Sequence, residues 1–137
     1  HDAMRNHVRN TVADFRGADD LKPAFQNGRG HVIGASGTVT SLAGVHMGLP
    51  RYDRAAVDGL WMDMRDAHAT AAQLGAMSQA ERAAQPCIGP QRADLVLAGA
   101  AILEAIDSEW PSARMRVADR GLREGVLRVM MHTHAPA

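Results

Sequence analysis

The stretch HVIGASGTVTSLAGVH, residues 31–46, gives the clearest indication of how this chain folds. Its first three residues, His31 to Ile33, form a short run typical of a β-strand. A glycine-containing turn follows at once, and the next apolar residues lie on one face of a helix: Val39, Leu42, Ala43 and His46. Strand, glycine turn and helix in this order indicate an α/β protein. We expect His46, on the apolar face, to be a core histidine.

The turn formed by Gly34, Ala35, Ser36, Gly37 and Thr38 places main-chain N–H groups at the start of this helix. Such groups, with two hydroxyls beside them, bind an anion when glycine lets it approach the backbone. No lysine follows as in a Walker loop, and the spacing differs from that of a dinucleotide-binding turn. The pattern therefore predicts a phosphate-binding loop, and it also fits an ordinary tight turn with a Ser/Thr cap.

A second strand-to-helix junction occurs at residues 118–125, ADRGLREG. If its strand lies parallel and next to the first one, the two turns meet at the same edge of the sheet, where α/β proteins bind ligands. Arg123 then either faces an anion or pairs with Glu124 or Asp119 and supports the turn. Asp119, Gly121, Arg123 and Glu124 are therefore candidates for anion contact or for turn support.

Arg92 is a further candidate, because it stands just before a long apolar helical pattern. It either pairs with Asp94, whose charge suits the first turn of a helix, or reaches a ligand. Cys87, the only cysteine, reads as a small packed residue beside Ile88. The histidines show no metal-ligand spacing, and His132 and His134 lie in a tail, so we predict no metal site and no catalytic residue in this chain.

Apolar periodicity and turn residues predict the remaining elements. Helices are expected at residues 2–15, 63–74 with an Asp63 cap, 91–109 and 121–131, with a capping box at Ser78 and Glu81. The helix at 91–109 should be buried through Leu95, Ala98, Ile102 and Ile106, and the last helix has Leu122, Val126, Val129 and Met130 on one side. Strands are expected at residues 57–62 and 115–118. Residues 17–30 read as a loop and residues 49–56 as a polar connector.

Composition limits the function classes. The 137 residues carry 15 Lys+Arg and 15 Asp+Glu, and 46% are hydrophobic, which fits one domain or a large part of one. No block of like charge favours nucleic-acid binding. The longest apolar stretch is too short to span a membrane, and no signal peptide is visible. A single cysteine fits a cytoplasmic location. Because the chain starts at His1 within a helical pattern, we expect it to be an internal piece of a longer protein.

Four blocks together resemble the exopolyphosphatase/guanosine pentaphosphate phosphohydrolase (Ppx/GppA) family. They are GASGTVT at 34–40, LPRYD at 49–53, RAD at 92–94 with GAAIL at 99–103, and DRGLREG at 119–125. The resemblance covers residues 1 to about 131, and the order and spacing of the four blocks are far more specific than any one of them.

The resemblance implies an actin-like fold in which two ribonuclease H-like lobes face each other across a cleft. Residues 1–131 are expected to be an incomplete part of the second lobe, with a short mixed or parallel sheet and flanking helices, and residues 132–137 a frayed tail. The family removes terminal phosphate from inorganic polyphosphate, or the 5′ phosphate from guanosine pentaphosphate, with Mg²⁺. Only the loop from Gly34 to Thr38 is carried over from it, as a phosphate contact.

The family's two Asp-Gly phosphate loops and its water-activating glutamate have no counterpart in this sequence. We therefore expect the Mg²⁺ ligands to lie elsewhere, this segment alone to be inactive, and the first lobe of the same protein to be a partner. An open sheet edge also favours a homodimer. Two other functions stay open: an actin-like kinase or ATPase lobe, and a non-catalytic module that binds phosphate or a nucleotide.

Overall fold

The computed structural model describes residues 1–15 and 17–133, which form eight helices and three strands. The helices are α1 (Asp2–Ala13), α2 (Ala18–Gln26), α3 (Gly37–His46), α4 (Arg54–Val57), α5 (Met64–Ala76), α6 (Gln79–Ala83), α7 (Leu95–Glu109) and α8 (Leu122–Thr133). The strands are β1 (Val32–Gly34), β2 (Trp61–Asp63) and β3 (Arg114–Val117). No helix within these described residues is long and apolar enough to cross a membrane.

The three strands form one mixed sheet in the order β1-β3-β2. β1 is parallel to β3, with Ile33 opposite Arg116, and β2 is antiparallel to β3, with Trp61 opposite the same arginine. The α/β class predicted from the sequence is confirmed. The strands that precede the two turns are parallel neighbours, which is the condition under which we expected the turns to meet. Because β1 and β3 run in the same direction, α3 and α8 both begin at one edge of the sheet.

One face of the sheet carries the core. Side chains alternate along β3, so Met115 and Val117 are buried while the two arginines between and before them are exposed. Helices α3 and α5 cover the buried face, and α7 packs against both of these helices. The largest fully buried side chains in this layer include Leu42, Met62 and Leu74. The core therefore lies between one face of a short sheet and the helices packed on that side.

Three predicted elements are wrong. Residues 17–30 contain α2, because Pro23 is accommodated inside a nine-residue helix and Gly28, at φ +66°, terminates it rather than marking a loop. The connector and the expected strand at 57–62 are instead α4 followed by β2. The Asp53 carboxylate accepts the Ala55 N–H at 2.9 Å and starts α4. Gly59, at φ +86°, turns the chain into β2, and its N–H donates to the Val117 carbonyl oxygen at 2.8 Å.

The buried face of α7 also differs from the prediction. Leu95 and Ile102 are 64% and 46% exposed, whereas Val96, Ala100, Ala101, Leu103 and Ala105 are buried. Small residues occupy the packed side because α3 approaches α7 closely there, as the contact of Gly99 with Thr38 shows. In α8 no residue is buried, so the apolar side of this helix is open to solvent.

Some predictions about single residues agree with the structure and others do not. The capping box of Ser78 and Glu81 is confirmed, with both reciprocal hydrogen bonds present. Asp63 holds the N-cap position of α5, but its side chain accepts no capping hydrogen bond. Cys87 is buried against Gly44, and burial raises the pKa of its thiol. His46 is not a core residue, because its side chain is 38% exposed and lies 3.8 Å from the Asp66 carboxylate.

Candidate functional site

A cavity of about 430 Å³ lies at the carboxyl ends of β1 and β3. The turn before α3 lines one side with Ala35, Ser36 and Gly37, and the turn before α8 lines the other with residues 118–124. Four arginines line it, Arg54, Arg92, Arg120 and Arg123, against two carboxylates, Asp119 and Glu124. The structure therefore brings most of the residues selected from the sequence into one cavity with an excess of positive charge.

The N-terminus of α3 offers free backbone donors to this cavity. Ser36 is the N-cap, and its hydroxyl oxygen accepts the Val39 N–H at 3.3 Å. The helix geometry leaves the N–H groups of Gly37 and Thr38 without an intrahelical acceptor. The positive end of the helix dipole lies at the same place, so this turn favours a negatively charged ligand.

The two glycines of the predicted phosphate loop have different roles. Gly34 is buried, and a Cβ there would lie 2.7 Å from the Val39 side chain, so packing requires this glycine. Gly37 lines the cavity, and a Cβ there would meet the Arg92 guanidinium at 3.4 Å, an ordinary contact distance. The Thr38 side chain packs against Gly99 and lines a smaller cavity next to the first. Of the five loop residues, Ala35, Ser36 and Gly37 thus face the main cavity.

The N-terminus of α8 is held by its own side chain. The Gly121 N–H donates to the Glu124 carboxylate at 2.8 Å, and this bond lowers the pKa of Glu124. Glu124 is therefore placed as a support for the turn. Arg123 lines the cavity and is exposed, and no carboxylate of the described residues lies within ion-pair distance of it. The alternative in which Arg123 pairs with Glu124 or Asp119 is not seen.

Arg54 fixes the second turn from across the site. Its Nε donates to the Asp119 carboxylate at 2.6 Å and its Nη2 donates to the Asp119 carbonyl oxygen at 2.9 Å. Asp58 accepts the Asp119 N–H at 3.0 Å and the Arg120 Nε–H at 3.2 Å. The hydrogen bond from Arg54 lowers the pKa of Asp119, so this carboxylate is ionised and committed to the turn at neutral pH.

Tyr52 closes the floor of the cavity between the two turns. Its hydroxyl is buried and makes no hydrogen bond of normal geometry within the described residues, although Asp119 and Thr40 lie near it. Burial, and next the neighbouring Asp119, raises the pKa of Tyr52, so the phenol stays protonated at neutral pH. A neutral hydroxyl in this position is a potential donor to a ligand oxygen.

Arg92 lies against the start of α3 rather than beside Asp94. The Asp94 carboxylate instead accepts a hydrogen bond from Gln79 Nε2 at 2.7 Å and lies 3.7 Å from Arg82. Arg92 also contributes to lowering the pKa of Asp119 across the cavity. With Arg123, it is one of two cavity arginines that no carboxylate of the described residues neutralises, and both retain donors for an anion.

The described residues do not fit a magnesium ion by themselves. No group of three His, Cys, Asp or Glu side chains among residues 1–15 and 17–133 is arranged to hold a metal. The two carboxylates of the cavity are engaged by Arg54 and by the Gly121 N–H. His134, considered with His132 in the sequence, lies outside the described residues.

Sequence reasoning missed Tyr52, Arg54 and Asp58 as parts of this site. Tyr52 stood in the LPRYD block, but its block gave no chemical reason to select it. Arg54 and its partner Asp119 are 65 residues apart, and no local spacing predicts such a pair. The only hint in the sequence was that the LPRYD block lies between the two predicted turns. Without the order of the strands in the sheet, this position does not show that the block contacts either turn.

The fold and the cavity together define an α/β protein whose parallel strands end at an arginine-lined cavity. A family model described as the Ppx/GppA phosphatase family matches residues 2–134. The chain therefore belongs to the Ppx/GppA phosphatase family, a family of hydrolases. Among curated proteins, none matches the sequence.

Solved structures agree with this assignment. The crystal structure of the Aquifex aeolicus family member superposes with a TM-score of 0.72 at 21% identity, covering 95% of this chain and 48% of its own. An exopolyphosphatase from Cytophaga hutchinsonii gives a TM-score of 0.72 at 23% identity, covering 97% and 43%. An exopolyphosphatase-like protein is 29% identical, with a TM-score of 0.66 and coverage of 93% and 44%. The chain thus spans less than half the length of the structures it matches.

Proposed function

We propose that this chain supplies a phosphate-binding cavity of a phosphohydrolase that releases terminal phosphate from inorganic polyphosphate or the 5′ phosphate from guanosine pentaphosphate. One observation carries the proposal: the N-terminus of α3 and two arginines without a carboxylate partner converge on a single cavity. Phosphate groups are the ligand that this combination of dipoles, amides and guanidinium groups suits best. The family assignment supports the same reaction class.

Phosphoryl transfer requires mainly positioning and neutralisation of charge. In the proposed function, the amides of Gly37 and Thr38 and the guanidinium groups of Arg92 and Arg123 hold phosphate oxygens. Arg54 and Asp58 do not contact the phosphate in this proposal. They orient the turn from Asp119 to Gly121. A carboxylate that activates water, and the Mg²⁺ ligands, are supplied by another part of the protein, so we propose that this chain alone does not hydrolyse the substrate.

That other part is the first lobe of the same protein, with residues 1–131 forming part of the second lobe in the cytoplasm. Support comes from α8, whose exposed apolar side chains on one side of the helix include Leu122 at 85%, Val126 at 48% and Val129 at 67%. Together they form an apolar stripe of the kind that marks an interaction surface. The solved relatives are about twice as long as this chain or longer and provide room for such a lobe.

The proposal is tested by the Arg92→Gln variant, with tripolyphosphate as the probe and isothermal titration calorimetry as the measurement. Loss of a charge-assisted contact should weaken the affinity about tenfold or more. Arg65→Gln is the matched control, because Arg65 is an exposed arginine on α5 outside the cavity. It removes the same charge and should leave the affinity unchanged. Equal affinity of the Arg92→Gln variant and the unmodified chain would contradict the proposal. Binding of ATP in preference to tripolyphosphate would favour the alternative function, a kinase or ATPase lobe.

A further inference from the structure

The face of the sheet that the helices leave open carries a second basic site, which we call the arginine face: Arg29, Arg114 and Arg116 around Trp61. Trp61 and Arg116 are paired across β2 and β3. Arg29 and Arg114 line the same groove of about 240 Å³ as Trp61. None of these residues belongs to the cavity described above.

The arginine face has a defined arrangement. The Arg114 guanidinium carbon lies 4.4 Å from the centre of the Trp61 ring and that of Arg116 lies 5.2 Å from it. His31 packs edge-on against the same ring at 5.6 Å. Gly59 is so close to Arg116 that a Cβ there would lie 3.1 Å from its Nη2. Stacking on a tryptophan orders a guanidinium group while leaving its N–H donors available.

These arginines have no acidic partner in the described part of the chain. Arg5, Arg9, Arg54, Arg82 and Arg120 all form ion pairs with carboxylates, whereas Arg29, Arg114 and Arg116 form none within 4 Å. Asp63 stands opposite Arg114 in the register of β2 and β3 without reaching ion-pair distance. Two cations stacked on Trp61, and Arg29 in the groove beside them, therefore lack internal neutralisation, and an external anion complements them.

Alternation along the strands also argues for a polar occupant. Along β3 the exposed residues are both arginines, while β2 exposes Trp61 and Asp63. A layer of apolar helix packed on this face would bury several unpaired charges, which is strongly unfavourable. A multiply charged anion would meet the same groups at little desolvation cost.

The arginine face and the cavity are connected along β3, because the groove of Arg29 and Arg114 lies at the amino end of this strand and the cavity lies at its carboxyl end. Arg116 lies two residues before Ala118, and Ala118 lines the cavity. Two residues of a strand span about 7 Å. An extended ligand that fills the cavity and leaves it along β3 therefore passes directly onto Arg116 and then Arg114.

We propose that the arginine face binds the phosphate groups of a polyphosphate chain that extends beyond the cavity. The inference rests on the proposed function and specifies its substrate: a linear polyphosphate longer than the cavity, in preference to a guanosine nucleotide. The cavity holds the end of the chain, and the arginine face holds phosphates further along it. Stacking on Trp61 keeps two of the guanidinium groups in place before the ligand arrives.

The test compares tripolyphosphate with a long-chain polyphosphate by calorimetry on the unmodified chain and on the Arg114→Gln/Arg116→Gln variant. We expect the variant to lose about tenfold or more in affinity for the long chain and nothing for tripolyphosphate. Arg65→Gln/Arg128→Gln removes the same charge from exposed arginines elsewhere and should bind both ligands normally. In the unmodified chain, the indole N–H resonance of Trp61 should shift with the long chain only.

Each other outcome overturns the inference in a recognisable way. If the double variant keeps its affinity for the long chain while tripolyphosphate still binds, the arginine face is not part of the site and the proposed function stands. If neither ligand binds the unmodified chain, the proposed function fails as well. If an acidic peptide or a DNA duplex binds the arginine face more tightly than polyphosphate, the assigned ligand class is wrong.

Discussion

Replacement of Gly37 by Val is expected to abolish measurable tripolyphosphate binding, with a loss of at least about tenfold, while the fold persists. A Cβ at Gly37 already touches the Arg92 guanidinium at 3.4 Å, so the two extra methyl groups of valine must displace Arg92 or cover the free N–H groups of α3. Gly37 does not have a positive φ, so the backbone accepts a side chain without strain. Calorimetry measures the affinity, and urea unfolding measures the stability.

The matched control is Gly37→Ala, whose single methyl group fits at ordinary contact distance from Arg92. It should bind tripolyphosphate within about threefold of the unmodified chain, because the amides stay accessible, and should be equally or slightly more stable. If Gly37→Val binds as well as Gly37→Ala, the turn before α3 is a structural turn only. If both variants unfold, the glycine serves packing rather than binding.

The largest expected effect on stability comes from Gly99→Ala in α7. A Cβ at this position would lie 2.0 Å from Thr38 Oγ1 and 2.6 Å from Thr38 Cβ, so rotation of the threonine cannot remove the clash. Helices α3 and α7 must therefore separate. Adding a methyl group to a closely packed contact of this kind lowers the free energy of unfolding by about 1–3 kcal/mol. Urea unfolding followed by circular dichroism measures the change.

Two comparisons isolate the cause. Gly75→Ala, in α5 with nothing within 4 Å of the added Cβ, should be neutral or stabilising by up to about 1 kcal/mol. In a Thr38→Gly background the threonine side chain is absent, so Gly99→Ala should no longer destabilise. An unchanged loss in that background would show that the contact between Gly99 and Thr38 is not what fixes the distance between α3 and α7.

The parts of the fold that the sequence predicted are those controlled by local patterns. The run from His31 to Thr38 specifies strand, turn and helix within a few residues, and the capping box of Ser78 and Glu81 is local as well. The meeting of the two turns followed from one rule about parallel strands. Gly28 and Pro23 misled the interpretation of α2, because a helix-terminating glycine and a loop glycine look alike in a sequence.

The parts that could not be predicted depend on contacts between distant residues. Large apolar residues suggested the wrong face of α7, since the close approach of α3 selects glycine and alanine there instead of Leu95 and Ile102. The bond between Arg54 and Asp119 and the stacking of Arg114 on Trp61 join segments that only the sheet order brings together. These long-range contacts arrange the candidate cavity and the arginine face.

The central claim is that the start of α3 binds phosphate oxygens through its backbone. Titration of tripolyphosphate into the ¹⁵N-labelled chain, followed by NMR, tests it most directly. We expect the amide resonances of Gly37 and Thr38 to shift most, together with the Nε–H of Arg92, and the amides of α5 to stay unchanged. Saturable binding that leaves Gly37 and Thr38 unshifted would contradict it.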